Sequence, residues 1–243
     1  MLKYLETKSS ILGENTFSEK FTGKKVLLIG AGPSTNEVKW DNLEYDCVVT
    51  TTHFYLNDRV RNLPNIKHIT LSEIIDFNHP NFIEFLDKNP NCTLALEPKP
   101  GRPFYNTDLW KTFESKYRDR LIYYNTEIDK FEGAAGRLGF FVMVFNPSEL
   151  YYVGVDGFQK DLKNQPLNSF RKEFKLDADG YLEAGRLKEF EDSHMNFAST
   201  LYEYSKLNKT KLYNLGEGFD YNCSTPYSKI HFPLNDKIKK LIK

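Results

Sequence analysis

The chain has 243 residues, and its 33 Lys plus Arg balance 33 Asp plus Glu. That length accommodates one large α/β domain or two small ones, and a formal charge of zero implies no basic face of the kind nucleic acid selects. No stretch approaches the roughly 18 apolar residues of a membrane-spanning helix, and the polar Met1 to Lys20 lacks the apolar centre of an export signal.

Taken in chain order, short apolar runs recur with helix-like segments between them. Val26 to Ile29 reads as a buried strand that ends in Gly30-Ala31-Gly32-Pro33-Ser34, a tight turn. Further strands are expected at Cys47 to Thr51, Ile66 to Leu71, Cys92 to Leu96, Leu121 to Tyr124, Tyr151 to Val155 and Lys211 to Leu215. Pro80 to Leu86 has helical spacing. Ala134 to Phe145 is apolar nearly all round, which predicts a buried helix stopped by Pro147. Another helix is expected over Ser193 to Lys206, behind the acidic cap Glu191-Asp192. Gln159 to Lys188 is polar and too long for an ordinary connection, so it reads either as a lid over a site or as a surface insertion. Strands alternating with helices imply an α/β fold: a single Rossmann-like, mostly parallel sheet with helices on both faces and a lid insertion at 159–188. No clean linker divides the chain, so residues 1–243 are expected to form one domain.

Cysteine usage and the termini bear on location. Cys47, Cys92 and Cys223 are far apart, with no CxxC spacing, and the first two lie in apolar runs. They read as reduced core residues of a cytoplasmic protein. The basic, amphipathic Asp236 to Lys243 is either a solvated terminal helix or a membrane-peripheral contact. The 15% aromatic content either fills the core or lines a pocket that stacks on rings.

Three segments carry candidate chemistry. Gly30 and Gly32 begin like a dinucleotide fingerprint, but Thr35 stands at the third glycine position. The second strand ends in Thr50-Thr51-Thr52, with no acid for a ribose, and no Walker lysine follows the turn. The turn is therefore either a phosphate loop of another kind or a plain structural turn. Asp156 ends the strand Tyr151-Tyr-Val-Gly-Val and can accept from a sugar hydroxyl or cap its own turn. His194, just inside a helix N-terminus, is placed to stay neutral and act as a base; a surface or packing role is the alternative. His53, at the end of the second strand, is a second candidate. No two histidines have ligand spacing and no DxD occurs, so no metal-dependent mechanism is expected.

In their shared order these motifs resemble the bacterial lipo-oligosaccharide sialyltransferases. Lys24-Lys-Val-Leu-Leu-Ile-Gly-Ala-Gly-Pro-Ser34 is similar to their opening strand and loop, and Asp46-Cys-Val-Val-Thr-Thr-Thr-His-Phe-Tyr55 to their second strand. Gly136-Arg-Leu-Gly139 resembles their glycine-containing central helix, and Tyr151-Tyr-Val-Gly-Val-Asp156 their late strand. Asp192-Ser-His194, a helix and Lys211 to Leu215 resemble their closing segment. The 6-hydroxymethylpterin diphosphokinase-like proteins, and the central domain of motility-associated flagellin glycosylation proteins, share the Gly-x-Gly-Pro-Ser turn and the Val-Gly-Val-Asp strand. Three positions depart from the sialyltransferase pattern: Thr52 replaces an asparagine, Thr70-Leu71-Ser72 replaces another, and Phe158 replaces a tyrosine.

The resemblance implies a glycosyltransferase of polysaccharide biosynthesis that inverts at the anomeric carbon. It would use a CMP-linked sugar donor and a glycan or glycoconjugate acceptor, without a metal or other cofactor. Gly30, Ala31, Gly32, Pro33, Ser34, Thr52, His53 and Gly139 would bind the nucleotide. His194 would deprotonate the acceptor, with Asp156 beside it in the catalytic set. A homo-oligomer is compatible with this reading. A pterin diphosphokinase-like transferase and a non-catalytic nucleotide-sugar-binding protein are the alternatives.

Overall fold

The computed structural model describes residues 7–9, 19–32, 34–71, 75–96, 106–126, 134–155, 201 and 204–216. Their strands are β1 (Thr7–Ser9), β2 (Lys25–Ile29), β3 (Cys47–Thr51), β4 (Ile66–Leu71), β5 (Thr93–Leu96), β6 (Leu121–Thr126), β7 (Glu149–Val153) and β8 (Lys211–Asn214). Their α-helices are α1 (Ser34–Glu37), α2 (Asp58–Arg61), α3 (Pro80–Lys88), α4 (Asp108–Tyr117) and α5 (Ala134–Val144). The expected strands all form, with ends shifted by up to two residues. Two-residue shifts occur at β6, which runs on to Thr126, and at β7, which starts at Glu149 and stops at Val153, where Gly154 turns to φ +72°.

All the strands join one sheet in the order β1-β6-β5-β4-β3-β2-β7-β8. The pairs from β6 to β8 are parallel, and β1 adds to the β6 edge antiparallel. From β2 the chain steps outward to β6, then returns to lay β7 and β8 on the other side of β2. Right-handed crossovers running in opposite directions place their helices on opposite faces. Two separate cores show this. On one face Leu27, Ile29 and Val48 pack with Phe54, Phe82, Phe85 and Phe113. On the other, Val26, Leu28 and Val49 pack with Leu138, Phe141 and Met143 of α5. The fold is therefore α/β and Rossmann-like, with helices on both faces.

Local chemistry explains each main helix. His79 Nδ1 accepts from the Asn81 amide at 3.2 Å and Pro80 opens α3, a favoured start because proline has no amide to satisfy. Thr107 Oγ1 accepts from the Trp110 amide at 3.2 Å and caps α4, whose Trp110, Phe113 and Tyr117 recur at helical spacing and are buried. Helix α5 ends one residue earlier than expected, and Asn146, at φ +51°, turns the chain out before Pro147. Residues 204–208 are helical, the closing part of the helix expected over Ser193 to Lys206. Helix α4 and strand β1 are not among the elements expected from the sequence.

Cys47 and Cys92 are buried and free, and burial pushes both thiols up to about 12, so neither is a nucleophile at neutral pH. His68 on β4 is fully buried, stacked on Phe141 with ring centroids 4.6 Å apart. Thr93 gives its hydroxyl proton to the Lys67 carbonyl at 3.0 Å, so its oxygen accepts from His68 Nδ1 at 2.9 Å. The neutral, Nδ1-protonated ring follows. Burial lowers its pKa from 6.5 to about 3. His68 is thus a core residue, as its position inside a strand implies. Among the described residues no helix is long and apolar enough to cross a membrane.

Candidate functional site

The strand order reverses between β2 and β7, and in open α/β sheets ligands bind at the carboxyl ends of the strands on either side of such a reversal. The Gly30 to Ser34 turn leaves the end of β2, and Gly154-Val155 leaves the end of β7. These two turns are one unit. The Gly30 amide donates to the Val153 carbonyl at 2.8 Å, and the Gly32 amide to the Gly154 carbonyl at 2.8 Å. In return the Gly154 amide donates to Ser34 Oγ at 2.8 Å. The buried Thr35 hydroxyl donates to the Gly30 carbonyl at 2.8 Å and closes the turn on itself.

The approach is close enough to require glycine on both sides. A Cβ on Gly30 would overlap the Gly154 carbonyl oxygen. A Cβ on Gly154 would stand 2.5 Å from the Gly30 oxygen and overlap the Thr35 hydroxyl. Gly154 also needs the left-handed backbone that glycine adopts without steric cost. The role of Gly154 was not among the expected site features, although a glycine inside an apolar strand pattern signals such an approach.

A second set of contacts joins this unit to the end of β3. Helix α1 is a single turn and cannot hold itself. Arg59, from α2, donates to the Thr35 carbonyl at 2.7 Å and the Val38 carbonyl at 2.8 Å. Its guanidinium lies 4.1 Å from the centre of the Trp40 ring and pairs with Asp41. Trp40 Nε1 also donates to Thr35 O at 2.9 Å, and Asn57 Nδ2 to Asn36 Oδ1 at 2.9 Å. The orphan carbonyls of a short helix are thereby satisfied by side chains from elsewhere. Trp40, Asn57 and Arg59 were not expected either: Trp40 bonds a backbone carbonyl five residues back, Asn57 a side chain 21 residues away, and Arg59 backbone carbonyls 21 and 24 residues away.

At the end of β3, the Thr52 amide and hydroxyl both donate to the Thr70 carbonyl, at 3.0 and 3.3 Å. Thr50 Oγ1 donates to the Ile29 carbonyl at 2.9 Å. His53 follows with φ +69°, a conformation uncommon outside glycine, and leads into the 3-10 turn Phe54–Leu56. Gly139 is buried in α5, which packs against β2, β3 and β4.

The fold thus brings Gly30, Ala31, Gly32, Ser34, Thr52 and His53 to one edge of the sheet, with Gly139 on the face behind it. Pro33, Asp156, Phe158, His194 and the expected lid at 159–188 lie outside the described residues. Among the described residues no three His, Cys, Asp or Glu side chains gather as metal ligands would.

No protein-family model matches the chain, and no curated protein matches it. Solved structures do. The monofunctional α-2,3-sialyltransferase Cst-I of Campylobacter jejuni superposes with a TM-score of 0.54 at 14% identity, over 95% of this chain and 84% of that one. A second α-2,3-sialyltransferase structure from Campylobacter jejuni, in apo form, gives 0.51 at 13% identity, over 94% and 83%. The sialyltransferase CST-II, in complex with a trisaccharide acceptor and CMP, gives 0.51 at 19% identity, over 80% and 82%. At these identities the likeness is one of fold. The chain is built on the same sheet as the Campylobacter sialyltransferases, in agreement with the resemblance its motifs carry.

Proposed function

We propose that this chain is a glycosyltransferase of the sialyltransferase type, with a CMP-activated sugar as donor and a glycan or glycoconjugate as acceptor. The observation that carries the reading is the locked pair of turns at the β2/β7 reversal. This reversal is where open α/β sheets bind phosphate-bearing ligands, and a sialyltransferase of the same fold is known with CMP bound. The nucleotide phosphate rests against the glycine turn, with the base toward the end of β3. The leaving phosphate is stabilised electrostatically at this edge, while the Gly30 and Gly32 amides are spent on the Val153 and Gly154 carbonyls and hold the turn in place before substrate arrives.

The chemistry is a single displacement with inversion and without a metal. His194 takes the acceptor hydroxyl proton as the new glycosidic bond forms and CMP departs. Asp156 follows directly on the locked turn and positions the donor. The polar 159–188 segment closes over the site once the donor is bound.

The test is sugar transfer from a CMP-sugar donor with EDTA present. Turnover is expected to survive EDTA, and His194→Ala is expected to lower kcat on the order of a hundred-fold or more. A loss below about threefold removes His194 from the role of base, given that general bases contribute at least ~100-fold. Abolition by EDTA with recovery on adding Mg2+ overturns the metal-free displacement.

A further inference from the structure

An arginine at the carboxyl edge of such a sheet is a natural clamp for a phosphate, but Arg59 is committed elsewhere. Its Nη1 donates to the Thr35 carbonyl at 2.7 Å and its Nη2 to the Val38 carbonyl at 2.8 Å. Nε donates to Asp41 Oδ1 at 3.4 Å, and Nη2 also pairs with Asp41 Oδ2. The guanidinium lies 4.1 Å from the centre of the Trp40 ring. Donors on all three nitrogens are therefore spent on this chain, and the charge is met by a carboxylate.

What Arg59 grips is the far end of the glycine turn. The Thr35 hydroxyl closes that turn on the Gly30 carbonyl at 2.8 Å, and the Thr35 carbonyl is the atom that Arg59 and Trp40 hold. Ser34, one residue earlier, accepts from the Gly154 amide. Arg59 itself stands on α2, after the end of β3. Asn57 fastens the same segment, since its Oδ1 accepts from the Arg59 amide at 3.1 Å while its Nδ2 donates to Asn36 at 2.9 Å. Side chains thus join the ends of β2, β3 and β7 beyond the last ladder bonds. Helix α1 is one turn and cannot hold its own shape. Without the guanidinium, two of its carbonyls lose a charged donor and the turn leaves its place in a fraction of the molecules. The apparent affinity of a ligand falls by the fraction of molecules that stay competent.

We propose that Arg59 is a positioning residue of the nucleotide site: it acts through Thr35, not on the phosphate, and holds the β2 turn in register with the segment after β3. The proposal rests on the nucleotide reading given above. The site is then formed before the donor arrives, and one guanidinium keeps it formed.

The sheet carries a control of matched chemistry. At the opposite edge Arg120 Nη1 donates to the Leu86 and Asn89 carbonyls, at 3.1 and 2.9 Å, where α3 ends. Its guanidinium lies 5.0 Å from the centre of the Tyr117 ring. Full-length wild type, Arg59→Ala, Arg59→Lys and Arg120→Ala are titrated calorimetrically with CMP, at a temperature where thermal unfolding shows each to be folded. Arg59→Ala is expected to bind CMP ~tenfold or more weakly, because each lost bond shifts a local equilibrium about fivefold and two are lost. Arg59→Lys keeps the charge but cannot fork to both carbonyls, so it is expected to stay at least about threefold weaker than wild type. Arg120→Ala is expected to bind within about twofold of wild type, less than one bond's worth. Wild-type affinity in Arg59→Ala, or equal weakening in Arg59→Ala and Arg120→Ala, overturns the proposal while the nucleotide reading stands. Full affinity in Arg59→Lys also overturns it, since a phosphate ligand needs only the positive charge. If the wild type binds no CMP, the nucleotide reading falls and the proposal with it. Should Arg59→Ala not fold, Arg59→Lys against Arg120→Lys gives the same comparison.

Discussion

Gly154→Ala perturbs the point where the two turns interlock, and its effect can be worked out from the geometry. Alanine at φ +72° carries the left-handed penalty, about 1 kcal/mol at the low end of the usual range. Its Cβ would stand 2.5 Å from the Gly30 oxygen, so one of the two backbones must withdraw. Withdrawal breaks the Gly154 amide bond to Ser34 and the Gly32 amide bond to Gly154, both 2.8 Å. Each is worth about 1 kcal/mol, which brings the expected loss to roughly 3 kcal/mol. Gly23 supplies an internal control, because it has φ +70° with nothing within 4 Å of its would-be Cβ. Gly23→Ala should cost only the conformational part, about 1 kcal/mol. Urea unfolding of both variants at unchanged slope gives the two costs directly. CMP titration of Gly154→Ala should show binding weakened or lost, and of Gly23→Ala unchanged. Equal costs for the two variants, with CMP binding intact in both, would refute the argument that the turns form one rigid site.

Two further outcomes follow from side chains around this frame. His68 has its folded pKa depressed from 6.5 to about 3 by burial, so between these values the unfolded chain binds the extra proton. Stability is then full above about pH 6.5 and falls by about 1.4 kcal/mol per unit as pH drops toward 3. Urea unfolding at pH 7 and pH 5 should show that loss, and His68→Phe should remove most of it; an unchanged slope in the variant contradicts a neutral buried ring. Arg59→Ala strips the Thr35 and Val38 carbonyls of their charged donor and bares the Trp40 ring. A destabilisation of about 2–3 kcal/mol is expected by chemical denaturation, and Arg59→Lys should recover only part of it, since an ammonium cannot fork to two carbonyls.

The interior strands were legible because each is a run of apolar residues bounded by polar ones, and burial on both faces of a parallel sheet produces that pattern. Strand β1 was not, since Thr-Lys-Ser owes its place to pairing with β6 and not to its own composition. Helix α4 had its signal in Trp110, Phe113 and Tyr117, diluted by the charged residues between them. The glycine turn was legible as a turn, but its purpose was not. Its partner, Gly154, bonds to Ser34 across 120 residues of chain, and no local pattern encodes that distance. The same holds for Arg59, whose partners are backbone carbonyls.

The most direct test of the nucleotide site is calorimetric titration of the full chain with CMP in EDTA, beside UMP and ATP. Saturable, one-to-one binding of CMP, with an accompanying rise in melting temperature and loss of both in Gly154→Ala, is the predicted result. Binding of ATP in preference to CMP, or no response to CMP at all, would contradict a CMP-sugar site at the β2/β7 reversal.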